Sequence, residues 1–137
     1  MEAGTIYPKQ CQKCLPGTYS HKTGQVHSCA GSCSLGKYGS EKGMISDDAC
    51  TKCLAGTYGT KKGATSITTC VECSRGRYST TLAANNEAVC TPCDRGKWSV
   101  NLGSSHASDC TLCEKDYYSN ASGESSPEAC ESCRKGQ

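Results

Sequence analysis

The sequence predicts a small disulfide-rich fold of tandem repeats, with short or irregular β-hairpins, almost no helix and an elongated, rod-like form. Three observations lead to this fold class. Fourteen of the 137 residues are cysteines in seven close pairs. Most pairs recur at a spacing of about 20 residues, which is typical of stacked repeat units. The rest of the chain is poor in apolar groups, with no Phe and a mean hydropathy of -0.57. Cross-links must therefore offset the roughly 1–2 kcal/mol of backbone entropy lost per ordered residue.

Each repeat carries the same residues at fixed positions after the second cysteine of a pair. The third position is Gly, which predicts a turn with positive φ; Asp116 replaces it once, and Asp tolerates that conformation better than most residues. The tenth position is Gly except at Ala83, and we expect it to divide the loop into two arms as a hairpin turn does. The fifth position is aromatic, and its ring is expected to cover a disulfide of its own or the next unit. These repeat-packing residues are Tyr19, Tyr38, Tyr58, Tyr78, Trp98 and Tyr118.

The repeats divide the chain into one continuous array over residues 1–137. Its predicted units are 11–28, 29–49, 50–69, 70–89, 90–109, 110–129 and a partial unit, 130–137. Because the last unit breaks off within the repeat, we expect an excerpt of a longer array. The alternative is a complete subunit that polymerises.

The cysteine pairs could form disulfides or tetrahedral zinc sites. Disulfides are favoured because seven pairs cannot be shared two by two, and because His21, His27 and His106 occupy no repeated position. A redox role is less favoured, since seven copies indicate architecture. The simplest connectivity closes each loop locally, although the sequence alone does not prove it. It pairs Cys14–Cys29, Cys33–Cys50, Cys53–Cys70, Cys73–Cys90, Cys93–Cys110 and Cys113–Cys130. Cys11 and Cys133 are then left to bond a neighbouring unit or another molecule.

The motifs CQKCLPGTYS and CTKCLAGTYG resemble the ephrin-receptor-like cysteine-rich repeats. They are also similar to the smallest module of tumour necrosis factor receptor ectodomains. The resemblance covers residues 11–136. It implies an extended, disulfide-laddered, extracellular array with local connectivity, and it implies no particular ligand.

These features predict an extracellular structural segment, secreted or at the cell surface, that acts as a stalk, matrix element or filament subunit. Its partners would be neighbouring repeats or copies of itself. The alternative is a receptor ectodomain segment that binds a protein ligand, for which Trp98 and Arg95 are the local candidates. We expect no enzymatic activity, cofactor or metal. The net charge of +2 is scattered, which argues against nucleic acid, and no apolar run is long enough to span a membrane.

Surface modification is the remaining prediction. Asn120-Ala121-Ser122 forms an N-glycosylation sequon, and Ser and Thr at the loop tips are candidates for O-linked glycans. The acidic residues before the cysteine pairs are not spaced as a calcium loop, so solvated surface is the expected role. They are Asp47, Asp48, Asp109 and Glu128.

Overall fold

A computed structural model of the protein describes residues 13–21 and 29–134. In these ranges the regular structure consists of two-residue β-strands and three-residue 3-10 turns, with no α-helix. The strands are β1 (Thr18–Tyr19), β2 (Gly31–Ser32), β3 (Lys37–Tyr38), β4 (Thr51–Lys52), β5 (Thr57–Tyr58), β6 (Val71–Glu72), β7 (Arg77–Tyr78), β8 (Thr91–Pro92), β9 (Lys97–Trp98), β10 (Thr111–Leu112), β11 (Tyr117–Tyr118) and β12 (Glu131–Ser132). The 3-10 turns are Asp47–Ala49, Ile67–Thr69, Glu87–Val89, Ala107–Asp109 and Pro127–Ala129.

The fold is a series of six similar modules, each holding one disulfide and one two-stranded antiparallel hairpin. Modules one to six begin at the first cysteine of each disulfide and cover 14–32, 33–52, 53–72, 73–92, 93–112 and 113–132. Positions are counted from that cysteine, as in the sequence repeat. The predicted fold class of disulfide-rich tandem hairpins is confirmed.

The hairpin of each module pairs its fourth and fifth residues with its last two. In module two, Lys37 lies opposite Lys52 and Tyr38 opposite Thr51. The chain enters the first strand through a tight turn, in which the Lys37 N–H donates to the Ser34 carbonyl at 3.1 Å. Gly36 is the third residue of that turn and has φ +79°, the value a type II turn requires there. The positive φ predicted for the third position is thus confirmed, including Asp116 at φ 69°.

The tenth-position residue lies in the long connection between the two paired strands of its module, where the chain turns at 62–63 and 82–83. Gly43 has φ +79° and donates its N–H to the Cys14 carbonyl of the preceding module at 2.8 Å. Ala83 keeps the same role with φ 54°. The tenth position therefore docks one module on the one before it. The chain after it reaches the closing cysteine through the 3-10 turn.

The core of the stack consists mainly of cystine sulfur and small side chains. Cys33, Cys73 and Cys93 have no exposed surface, and the eleventh position is buried in modules two to five. That position holds Met44, Ala64, Ala84 and Ser104. Larger apolar residues such as Leu54 and Ile67 remain exposed. Apolar burial is small, so the disulfides and the backbone hydrogen bonds between modules carry most of the stability.

Candidate functional site

The disulfide ladder has the local connectivity predicted from the repeat. Six disulfides join Cys14–Cys29, Cys33–Cys50, Cys53–Cys70, Cys73–Cys90, Cys93–Cys110 and Cys113–Cys130. The Cα–Cα distance is 5.6 Å in the first and 5.8 Å in the last, near the usual value. Cysteines bonded in this way are not available as the thiolates that a zinc site needs. Cys133 is an exposed free thiol, and Cys11 lies outside the described residues.

The junction between consecutive modules is built from main-chain hydrogen bonds that recur along the stack. The tenth-position N–H of each following module donates to the first cysteine's carbonyl, as Gly63 does to Cys33 at 2.8 Å. The sixth-position N–H donates to the eleventh-position carbonyl of the next module, as Gly39 does to Ala64 at 2.9 Å. These two bonds occur at all five junctions. Because they involve only backbone groups, the junction tolerates changes in most side chains.

The repeat aromatics flank these junctions. Tyr19 packs against the buried cluster of Cys33, Met44 and Cys50, so its ring covers the disulfide of the next module. The backbones of Tyr19 and Met44 also form a parallel bridge, and the equivalent bridge recurs down to Trp98 and Glu124. The fifth-position side chains are half-buried in modules one to five, whereas Tyr118 is exposed. The Tyr118 hydroxyl donates to Glu131 at 3.1 Å, and this hydrogen bond to a carboxylate raises the pKa of Tyr118.

A second contact, which the sequence did not reveal, joins modules two places apart. The third-position glycine of one module faces the tenth-position carbonyl of the module after next. A Cβ added to Gly36 would lie closer than 3.0 Å to the Ala83 carbonyl, and one added to Gly76 closer than 3.0 Å to that of Gly123. Glycine is thus required there for close approach as well as for φ.

In modules two, three and six the first, fourth and fourteenth positions lie together on one side of the module, and we call this surface the lateral groove. In module two an ion pair fills it, between Lys37 Nζ and the Asp47 carboxylate. Asp47 also accepts hydrogen bonds from Ser34 N at 2.8 Å and Ser34 Oγ at 3.0 Å. Partial burial opposes ionisation of Asp47, but the hydrogen bonds from Lys37 and Ser34 outweigh it and lower the pKa of Asp47. The prediction that Asp47 is merely solvated surface is wrong.

Asp109 also has a structural role that its sequence position did not show. Its carboxylate accepts the N–H groups of Ser105 and His106 at 3.0 Å and so closes the start of a 3-10 turn. Asp48 and Glu128 are exposed, as expected. A hydrogen bond from Ser126 lowers the pKa of Glu128.

In modules three and six the lateral groove is open. In module three the exposed side chains of Leu54, Ile67 and Val71 line a cavity of about 540 Å³. In module six, Trp98 of the preceding module joins Glu114, Tyr117 and Pro127 around a cavity of about 270 Å³. The residues at the first, fourth and fourteenth positions differ between modules two, three and six, so the groove differs with them.

The remaining predicted residues lie on the surface. Asn120 is exposed immediately after the sixth position of module six, and Ser122 is exposed as well. Arg95 is exposed in the loop that precedes half-buried Trp98. Among residues 13–21 and 29–134 no group of three or more His, Cys, Asp or Glu side chains could hold a metal ion. The same residues include no helix with the length and apolar character needed to cross a membrane.

No protein-family model matches the chain, and no curated protein matches it significantly. The structure itself defines a repeat module of tandem disulfide-bonded hairpins, a construction typical of proteins in oxidising, extracellular surroundings.

Proposed function

We propose that this chain is a structural segment of a secreted or cell-surface protein, a stiff spacer that holds apart whatever lies at its two ends. The observation that carries this proposal is the recurrence of the same backbone junction between all consecutive modules. A surface evolved for recognition needs distinctive side chains, whereas a spacer needs uniform joints. The same proposal includes two further points. The chain has no enzymatic activity, and its modules are related to the ephrin-receptor-like repeats.

The disulfide positions support a mechanical role. Each disulfide of modules two to six closes a loop with a sequence separation of 17 residues. That loop cannot be pulled out while its bond is intact. At a maximum of about 3.4 Å per residue, each disulfide keeps about 50 Å of chain from being extended.

The proposal is tested by single-molecule pulling of the full chain from its two ends. We expect the oxidised protein to extend without releasing any loop, and reductant to release steps of about 50 Å, one for each bond opened. Full extension of the chain without reductant would contradict the spacer function. The same molecule before and after reduction serves as its own control.

The open cavity beside Trp98 supports a second candidate, a receptor segment that binds a protein ligand. Tyr117 is 47% exposed there and forms an aromatic wall with Trp98. For a receptor, Tyr117→Ala would abolish ligand capture, whereas Thr57→Ala at the same position of module three would leave it intact. For a spacer, neither change affects attachment to its neighbours.

Glycosylation is also part of the proposal. The seventh position, which holds Asn120, is exposed in every module from two to six. A glycan at Asn120 would therefore project sideways without entering a junction. Expression in a secretory eukaryotic host should give a mass increment that is removed by an N-glycosidase and absent in Asn120→Gln. An unmodified wild-type chain would contradict occupancy of Asn120. The exposed loop-tip Ser and Thr residues are the candidates for O-linked sugars.

A further inference from the structure

We infer that Asp116 stops the regular stacking of modules, so that no module can occupy the place two beyond module six, whether from the same chain or from a second copy. The inference rests on the proposed function of a stacked repeat and narrows it. Regular stacking that stops at a defined module fixes one end of the spacer. Such a spacer is not the unit of a filament that continues in the same register.

The argument begins with the close approach between modules two places apart. In modules one to four a Cβ at the third position would lie closer than 3.0 Å to a backbone carbonyl oxygen, a distance that real Cβ atoms essentially never show. The junction hydrogen bonds of the tenth-position N–H and of the eleventh-position carbonyl lie on either side of that carbonyl, so it cannot move aside without disturbing them. The facing pairs are Gly17 and Gly63, Gly36 and Ala83, Gly56 and Gly103, and Gly76 and Gly123.

Asp116 shares the conformation of these glycines and differs in having a side chain. Its φ of 69° matches the 77° of Gly76 and Gly96, so the turn itself is preserved. The third position of a module is buried where a module two places further along the chain covers it. The third position is buried in modules one to four, half-buried at Gly96 and exposed at Asp116. A Cβ on Gly96 would meet nothing within 4 Å, because no module of the described chain lies two places beyond it.

A second copy would meet this obstacle if it continued the stack. The Cys113 carbonyl and the Ser119 N–H are the module-six equivalents of the groups that form the junction in the preceding modules. A further module that continued the stack would have to dock on these two groups. The next module of that copy would then place its tenth-position carbonyl, that of Gly43 in module two, against the Asp116 Cβ. Regular head-to-tail stacking of whole chains is thereby blocked.

The test moves the same side chain into the stack, with a matched control in the full chain. Gly76→Asp places a carboxylate opposite Gly123, whereas Gly96→Asp makes the same change at the same φ with open space around it. Hydrogen exchange by mass spectrometry measures the junction amides of modules four to six. We expect Gly76→Asp to speed exchange at Gly103 and Gly123 by about tenfold or more, and Gly96→Asp to leave it unchanged. Equal exchange in the two variants would overturn the inference.

Two further results keep the inference testable if Gly76→Asp folds poorly. Failure of Gly76→Asp to form six disulfides, when Gly96→Asp forms them, supports it. Gly76→Ala and Gly96→Ala then repeat the exchange comparison with a single added methyl group, and equal protection would again overturn it. A wild-type filament whose module geometry continues across the chain junction would also overturn it. None of these outcomes affects the pulling experiment, so the spacer function stands or falls separately.

Discussion

Removal of one disulfide is expected to destabilise an interior module more than the terminal one. The perturbation is the double substitution Cys73→Ala with Cys90→Ala, compared with Cys113→Ala with Cys130→Ala. Both pairs close loops of 17 residues, so the loss of loop constraint is about 3 kcal/mol in each case on the chain-entropy model. The difference between them must therefore come from packing.

Burial gives the size of that difference. Cys73 and Cys90 are 0% and 2% exposed, whereas Cys113 and Cys130 are half-buried. If each buried sulfur is counted as about one methylene group, the interior pair loses up to about 2 kcal/mol more. The total is about 5 kcal/mol for the interior pair and about 3–4 kcal/mol for the terminal pair.

Guanidinium unfolding followed by the fluorescence of Trp98, the single tryptophan, measures these free energies. Trp98 lies in module five and therefore adjoins both altered modules. Equal losses, or a larger loss for the terminal pair, would refute the packing argument. A loss below about 1 kcal/mol for either pair would refute the claim that the disulfides are the main source of stability.

Three further predictions concern individual groups. Because the pKa of Asp47 is lowered in the folded protein, its stabilising effect is full above the unfolded pKa near 3.8 and is lost as the pH falls through the lower folded value. Asp47→Asn should remove this part of the acid dependence in denaturation measured between about pH 5 and 2, and an unchanged profile would count against the ion pair. Glu131→Gln should lower the raised pKa of Tyr118 towards its ordinary value in tyrosine-labelled NMR titration, and no movement would show that the hydrogen bond is absent. Iodoacetamide without reductant should alkylate Cys133, and protection of Cys133 would indicate a bond to another cysteine.

The sequence predicted the structure within each module well because the same residue pattern occurs in every repeat. The spacing of Cys33 and Cys50 allows a disulfide that closes the loop between them. A glycine three residues after Cys33 indicates the turn that the structure contains. Asp116 at positive φ follows from the same reasoning. These features depend on residues close together in the chain, where spacing alone limits the geometry.

The contacts between modules were harder to predict from the sequence. The docking of Gly43 on Cys14, and the approach of Gly76 to Gly123, depend on the angle between successive modules, which no local pattern encodes. Asp47 was misassigned because its partner Lys37 lies ten residues away on the other side of the loop. A comparison of the fourth and fourteenth positions would have shown opposite charges in that module. Function is harder still to predict from the sequence, since a junction made of backbone hydrogen bonds requires no distinctive side chains.

The central claim is the disulfide ladder, and peptide mapping of the unreduced protein tests it most directly. After free thiols are blocked, proteolysis and mass spectrometry identify which cysteine peptides remain linked. The structure predicts linkage across each module, such as Cys53 with Cys70 and Cys73 with Cys90, and a blocked thiol at Cys133. Links within the close pairs, such as Cys70 with Cys73, or free thiols at the twelve ladder positions would contradict it.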